Sequence, residues 1–132
     1  MTELVFDQKI DLPYVYTAGP VQRAALTGLK AGRLVGSAGS GYVAVPAAPF
    51  APDGRHLRET RELAAEGVVE AVTTAYHRPG APVHAWIRID GASDRMLHRL
   101  DAPLRVGARV TAVWREDRAG AITDIDHFTA AA

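Results

Sequence analysis

Residues 37–54 read S-A-G-S-G-Y-V-A-V-P-A-A-P-F-A-P-D-G. Ser37 and Ser40 stand three apart, with Gly41 directly after them. Ala51 and Gly54 repeat the spacing inside A-P-D-G. A C-x-x-C pair at each of these places would put four thiolates around one tetrahedral metal. Here a neutral serine hydroxyl is a poor zinc ligand, and alanine and glycine offer no side-chain ligand. The stretch therefore has the frame of a zinc ribbon with its ligand positions vacated at Ser37, Ser40, Ala51 and Gly54. A plain Gly/Ser/Pro-rich loop is the other reading of the same residues. Val43 and Val45 alternate with Tyr42 and Ala44, which suits a short hairpin strand. Pro46, Pro49 and Pro52 stiffen the return by lowering the entropy of the unfolded loop. Tyr42 and Phe50 are the side chains expected to fill space near the vacated site.

Working outward, residues 17–34 read as a helix. Thr17 is placed to cap it and Pro20 to sit in its first turn. Val21, Ala25 and Leu29 share a face, and Gly32 ends it after Lys30. Gly28 inside it costs about 1 kcal/mol against alanine; it marks either a close backbone approach or a weak helix end. Before the helix, an extended arm carries Leu4, Phe6, Ile10, Leu12, Val15 and Tyr16 among charges. So many large apolar groups need a surface, on this chain or on a partner. Residues 55–66 are highly charged, with Leu57, Arg61, Ala64 and Ala65 in helical register.

From residue 67 the pattern becomes β. Strands are expected at 68–76, 83–90, 95–100, 108–116 and 121–128, with turns at 77–82, 91–94 and 117–120. Five antiparallel strands at this spacing suit an OB-type barrel. In the fourth, Val110, Ala112 and Trp114 face one way and Arg109, Thr111 and Val113 the other.

The order of these segments resembles the acyl-CoA-associated family with a rubredoxin-like zinc ribbon followed by an OB-fold, known as domain of unknown function thirty-five. The resemblance runs over residues 12–128. It is carried by G-L-K-A-G-R-L-V-G (28–36), V-A-V-P (43–46), W-I-R-I-D-G-A (86–92) with His98 downstream, and Val106-Gly107 ahead of a strand. It implies a mainly β chain: arm and helix over 1–35, a degenerate metal-free ribbon and connection over 36–66, and an OB-fold over 67–132. It also implies an extended course for 55–66. It further implies a non-catalytic accessory subunit of a thiolase-like or sterol-carrier-type lipid-transfer enzyme. Such complexes make or break carbon–carbon bonds on acyl-CoA, with steroid side-chain retro-aldol cleavage as one candidate reaction. The catalytic groups would lie on the larger partner in a hetero-oligomer. The docking surface would be the arm, helix and ribbon, with Tyr14, Tyr16, Val21, Leu29, Tyr42 and Phe50 as interface candidates.

Composition narrows the alternatives. The chain has 132 residues, 48% of them hydrophobic, enough for one core with a small appendage. It has no cysteine, so neither disulfides nor thiolate-bound metal are expected. Basic and acidic residues balance at 15 each. A nucleic-acid-binding OB-fold usually shows a basic excess, although Trp86 and Trp114 would serve either as base-stacking platforms or as core. No run reaches the roughly 18 apolar residues of a membrane span. Residues 1–10 contain Glu3, Asp7 and Lys9 and no apolar secretory region, so a cytoplasmic protein is expected.

No self-sufficient active site is legible. His56, His77, His84, His98 and His127 fall in no H-x-x-x-H spacing, and there is no G-x-S-x-G elbow. His98 reads as a surface or hydrogen-bonded core histidine. His127 lies near Asp124 and Asp126, as a carboxylate-supported site or a solvated cluster. Asp90 is expected to bond turn N–H groups. Arg88 and Arg95 flank it and would meet a CoA phosphate, a partner carboxylate or water. The glycines Gly32, Gly36, Gly39 and Gly41 lack the Lys-Ser/Thr of a phosphate loop. A stand-alone acyl-CoA binder is the remaining alternative, with no cofactor of its own.

Overall fold

The structure is a computed structural model that describes residues 3–13, 15 and 17–131. Its elements are helix α1 (Pro20–Lys30), strands β1 (Leu34–Gly39), β2 (Tyr42–Ala44), β3 (Glu59–Leu63), β4 (Glu66–Thr74), β5 (Val83–Ile89), β6 (Met96–Leu100), β7 (Arg109–Trp114) and β8 (Ile125–Ala130), with a 3-10 turn (Ile122–Asp124) before β8. β2, β1 and β3 form a small antiparallel sheet. β4 to β8 close a barrel in the order β4-β5-β6-β8-β7. The chain is therefore mainly β, with one helix and an OB-type barrel, as expected.

Helix α1 is shorter than residues 17–34. It starts at Pro20, whose missing N–H is free of cost at that position. Gly19 rather than Thr17 stands at the N-cap, in extended conformation. Gly32 turns left-handed at φ 75°, so Arg33 and Leu34 already lead into β1. Arg118, from the loop after β7, donates to the Lys30 carbonyl at 3.0 Å and satisfies an end of the helix that its own backbone cannot. Gly28 marks a close approach. A Cβ there would meet Val35 Cγ2 at 2.6 Å and the Arg33 carbonyl at 3.2 Å.

Both expected knuckles are ordinary hairpin turns. Ser40 and Gly41 take φ 50° and 80°, the two-residue turn that suits the strand twist between Gly39 and Tyr42. In the second, Gly54 N–H donates to the Ala51 carbonyl and Ala51 N–H to the Arg55 carbonyl, both at 2.9 Å. Pro52 and left-handed Gly54 supply the conformations this turn needs. Residues 59–63 become β3, pairing with β1 from Leu34↔Leu63 to Ala38↔Glu59. The helical register of Leu57 and Arg61 is overridden by this pairing.

The ribbon and barrel are fastened by β2. Val43 N–H donates to Ser93 Oγ and Ser93 N–H to the Val43 carbonyl, at 2.9 and 2.8 Å. Val45 N–H donates to Asp94 Oδ1 at 2.9 Å. Leu29, Leu34, Ala38, Val43 and Val45 are buried in the same apolar cluster as Val69, Ile87, Met96, Ile125 and Phe128 of the barrel.

The barrel departs from the expectation in two ways. Its pairing is not wholly antiparallel: β6 meets β8 in parallel at Leu100↔Phe128. The last strand begins at Ile125, because Asp124 draws in the N–H groups of Ala119, Gly120 and Ala121 at 2.8, 2.7 and 3.1 Å and coils residues 122–124. In β7, Val110 is fully buried, and Ala112 and Trp114 pack on the core, as the alternation requires. No helix among the described residues is long and apolar enough to cross a membrane.

Ser37 is fully buried; its Oγ donates to the Ala48 carbonyl at 2.7 Å and accepts from the Ala48 N–H at 2.9 Å. Ser37→Ala strands both groups away from water and is expected to cost about 1–3 kcal/mol in denaturant unfolding; a loss below ~0.5 kcal/mol would contradict this reading. Burial pushes the Asp94 carboxyl up from its ordinary value, outweighing the Val45 N–H that favours the charge. A raised carboxyl gives stability that is complete below its unfolded value and lost as pH rises through its folded value. Asp94→Asn keeps an acceptor and removes the charge. Its stability relative to the wild type is expected to improve as pH rises, and a gap moving the other way would contradict the assignment.

Candidate functional site

Two surfaces carry the side chains with functional potential. The first is the arm. Leu4, Val5, Phe6, Ile10, Leu12 and Val15 are 72–94% exposed, and residues 3–13 join no sheet or helix. The arm therefore does not pack on the body it precedes. Apolar exposure of this extent in one run is uncommon on monomeric proteins.

The interface candidates separate. Tyr14 and Tyr16 lie outside the described residues. Val21 and Leu29 are largely buried in this chain, Leu29 within the main apolar cluster. Tyr42 is half-buried against the small ribbon cluster of Ala44, Ala51 and Leu57. Phe50 does not fill the vacated site. It is 50% exposed and rests on His56, with ring centroids 4.6 Å apart. An open cleft of about 480 Å³ lies beside this pair, lined by Pro20, Val21, Pro49, His56, Leu57 and Arg58. Gly19 also lines it.

Positions Ser37, Ser40, Ala51 and Gly54 do not fit zinc. The Ser37 hydroxyl is committed to both backbone groups of Ala48. Ser40 is exposed, and Ala51 and Gly54 bring no donor. Among the described residues, no group of three His, Asp or Glu is placed to hold a metal. Arg55 ties the two turns together instead: its Nη1 donates to the Ser40 carbonyl at 2.9 Å and its Nε meets Asp53 at 2.5 Å.

The second surface is the outer face of β4, β5 and β6. A β-bulge between Val69 and Ala71 leaves Glu70 outside the ladder. Both Arg88 and Arg95 donate through Nε to Glu70, Arg88 at 2.6 Å. Hydrogen bonding from Arg95 leads in holding the Glu70 carboxyl below its usual range, with Arg88 adding to it against the cost of burial. The two arginines are thus engaged by a carboxylate of their own chain. Glu70 had no sequence signal, since a bulge cannot be read from G-V-V-E-A-V-T-T. Trp86 is 46% exposed beside this trio, and with Glu70, Ala71 and Arg95 it lines a shallow cleft of about 430 Å³. Trp86 is thus surface and Trp114 packs on the core. Asp90 does not bond turn N–H groups. It takes both guanidinium arms of Arg109 at 2.8 and 2.6 Å.

The histidines do not converge on one another's chemistry. His98 is buried edge-on to Phe128, with ring centroids 5.3 Å apart. Its Nδ1 accepts the Arg99 N–H at 2.8 Å, which assigns the proton to Nε2, 3.2 Å from the Ile122 carbonyl. His127 Nδ1 pairs with Asp126 at 2.7 Å. Its neighbour Asp124 is spent on the turn before β8. Burial raises the Asp124 carboxyl, but the three N–H donors outweigh it and hold it below the usual range. This inventory holds side chains in place and assembles no nucleophile with its base among the described residues.

No family model and no curated protein matches the chain. Among solved structures, the fold is similar to a DUF35-family protein of unknown function from Sulfolobus solfataricus. That match has a TM-score of 0.62 at 23% identity, over 72% of this chain and 78% of the other. The fold is also similar to a structure described as the Ltp2–ChsH2 (DUF35) aldolase. There the TM-score is 0.64 at 18% identity, over 88% of this chain and 98% of that one. At these identities the likeness is one of fold.

Burial pushes the His98 imidazole below its ordinary value, outweighing the Ile122 carbonyl that favours a proton. Its contribution to stability is therefore complete above about 6.5, the ordinary histidine value, and lost as pH falls through the depressed one. Ring-resolved NMR is expected to show the Nε2–H tautomer at neutral pH and an ionisation midpoint below 6.5. A midpoint above that value would contradict the assignment.

Proposed function

We propose that this chain is a DUF35-type accessory subunit that docks on a thiolase-like enzyme acting on acyl-CoA and performs no chemistry alone. The observation that carries the reading is the exposed apolar arm ahead of the body. Large exposed apolar side chains on a tethered segment are what a lasting protein interface consumes. The name of the Ltp2–ChsH2 (DUF35) aldolase supports an assembly of this type. The resemblance in residues 12–128 supplies the partner class and the acyl-CoA substrate. On this reading the arm, helix and ribbon (1–35 and 36–66) form the docking side, and the barrel (67–132) stands beside the partner's substrate entrance. The complex would work in the cytoplasm.

The Glu70-bound arginines argue against a bare anion site, because a CoA phosphate would have to compete with a carboxylate already in place. The balanced charge argues likewise against single-stranded nucleic acid at Trp86.

The test is purification of the tagged full chain from its native host, with identification and stoichiometry of whatever accompanies it. A thiolase-like chain in fixed ratio, with carbon–carbon bond chemistry on acyl-CoA present only in the complex, is the expected result. A monomer without partner that turns over acyl-CoA alone, or that binds single-stranded DNA tightly, would overturn the reading.

A further inference from the structure

The arm has a periodicity of its own. Positions 4, 6, 8, 10 and 12 are Leu, Phe, Gln, Ile and Leu, while 3, 5, 7, 9 and 11 are Glu, Val, Asp, Lys and Asp. One parity is apolar except for a glutamine, and the other is charged except for a valine. Alternation over ten residues is the pattern of a half-buried strand and is incompatible with a helical stripe. Pro13 closes the run, as a strand end permits. Yet residues 3–13 join no strand among the described residues, and their apolar side chains are exposed. A strand of this length is not stable without a sheet to join.

Deepening the accessory-subunit reading, and resting on it, we infer that residues 3–12 are a donated β-strand: they add to an open sheet edge of the thiolase-like partner and lay Leu4, Phe6, Ile10 and Leu12 on apolar surface beside that edge. Strand addition draws affinity from main-chain hydrogen bonds and specificity from alternate side-chain pockets. Within this chain, β3 is the open edge of the ribbon sheet. It is the wrong acceptor. Glu59, Thr60, Arg61 and Glu62 are all exposed, so a strand placed beside them would leave its apolar face in solvent. The same mismatch argues against exchange of arms between two copies. The demand of the arm is for a partner whose edge strand lies next to an uncovered apolar face.

The test is residue-resolved amide hydrogen exchange on the purified chain alone and on its complex with the accompanying thiolase-like chain, together with binding of point variants. Fast exchange throughout the arm in the free chain, with every second amide from Val5 to Leu12 protected in the complex, is expected. Phe6→Asp and Ile10→Asp are expected to weaken the complex ~10-fold or more. Asp7→Asn and Lys9→Gln are expected to stay within about twofold. All four sites are exposed, so unchanged thermal unfolding serves as the check on folding. A stable complex with no alternating protection, or with both variant sets equal, overturns the donated strand and leaves the accessory role standing. Arm protection in the free chain that grows with its concentration overturns it in favour of a second copy. Failure to recover any thiolase-like chain overturns both readings together.

Discussion

The contact on which the rest depends is the seam between β2 and the turn after β5. Val43 exchanges two hydrogen bonds with Ser93, and Val45 gives a third to Asp94. These bonds consume the free edge of a three-residue strand that would otherwise invite pairing with another chain. They also hold Val43 and Val45 at the depth where both enter the barrel's core. Without that seam the ribbon sheet would have one open edge on each side and little apolar surface of its own to bury.

A ribbon closed by zinc draws on the order of 10 kcal/mol from the metal. Ser37 cannot replace that alone, since a pair of neutral hydrogen bonds contributes about 1–3 kcal/mol. The larger share comes from burial. Leu34, Val43, Val45 and Leu57 are each no more than 5% exposed, and at roughly 1.5–3 kcal/mol per side chain their burial is of the same order as the metal's contribution. At the turns, glycine and proline stand where left-handed and fixed-φ backbone are required. Arg55 spans the two turns at the exposed end. Local propensity, side-chain hydrogen bonding and a shared core thus agree on one arrangement.

The fold was largely legible because alternation and turn residues are local signals. The stretches around Trp86 and Val110 announced strands, and Pro20 and Gly32 bounded the helix. What escaped was set by distant partners. The resemblance implied an extended course for residues 55–66, and β3 is extended, but its pairing with β1 is not disclosed by a charged segment in helical register. The 3-10 turn before β8 follows from one carboxylate gathering three N–H groups. At the candidate surfaces, Arg88 and Arg95 were visible as charges, but their shared partner Glu70 was placed by a bulge. Trp86 and Trp114 look alike in sequence and differ because the former points away from the barrel. Val21 and Leu29, interface candidates from the sequence, are largely buried within this chain.

These features describe one body, ribbon and barrel together, preceded by an exposed apolar arm. We infer that this body keeps its shape without metal. Differential scanning calorimetry of the purified chain, with and without a strong zinc chelator and with metal content determined on the same sample, tests this most directly. A single cooperative transition at the same temperature in both runs, without stoichiometric zinc, is expected. A separate early transition for the ribbon, or a melting temperature that falls when the chelator removes bound zinc, would contradict it.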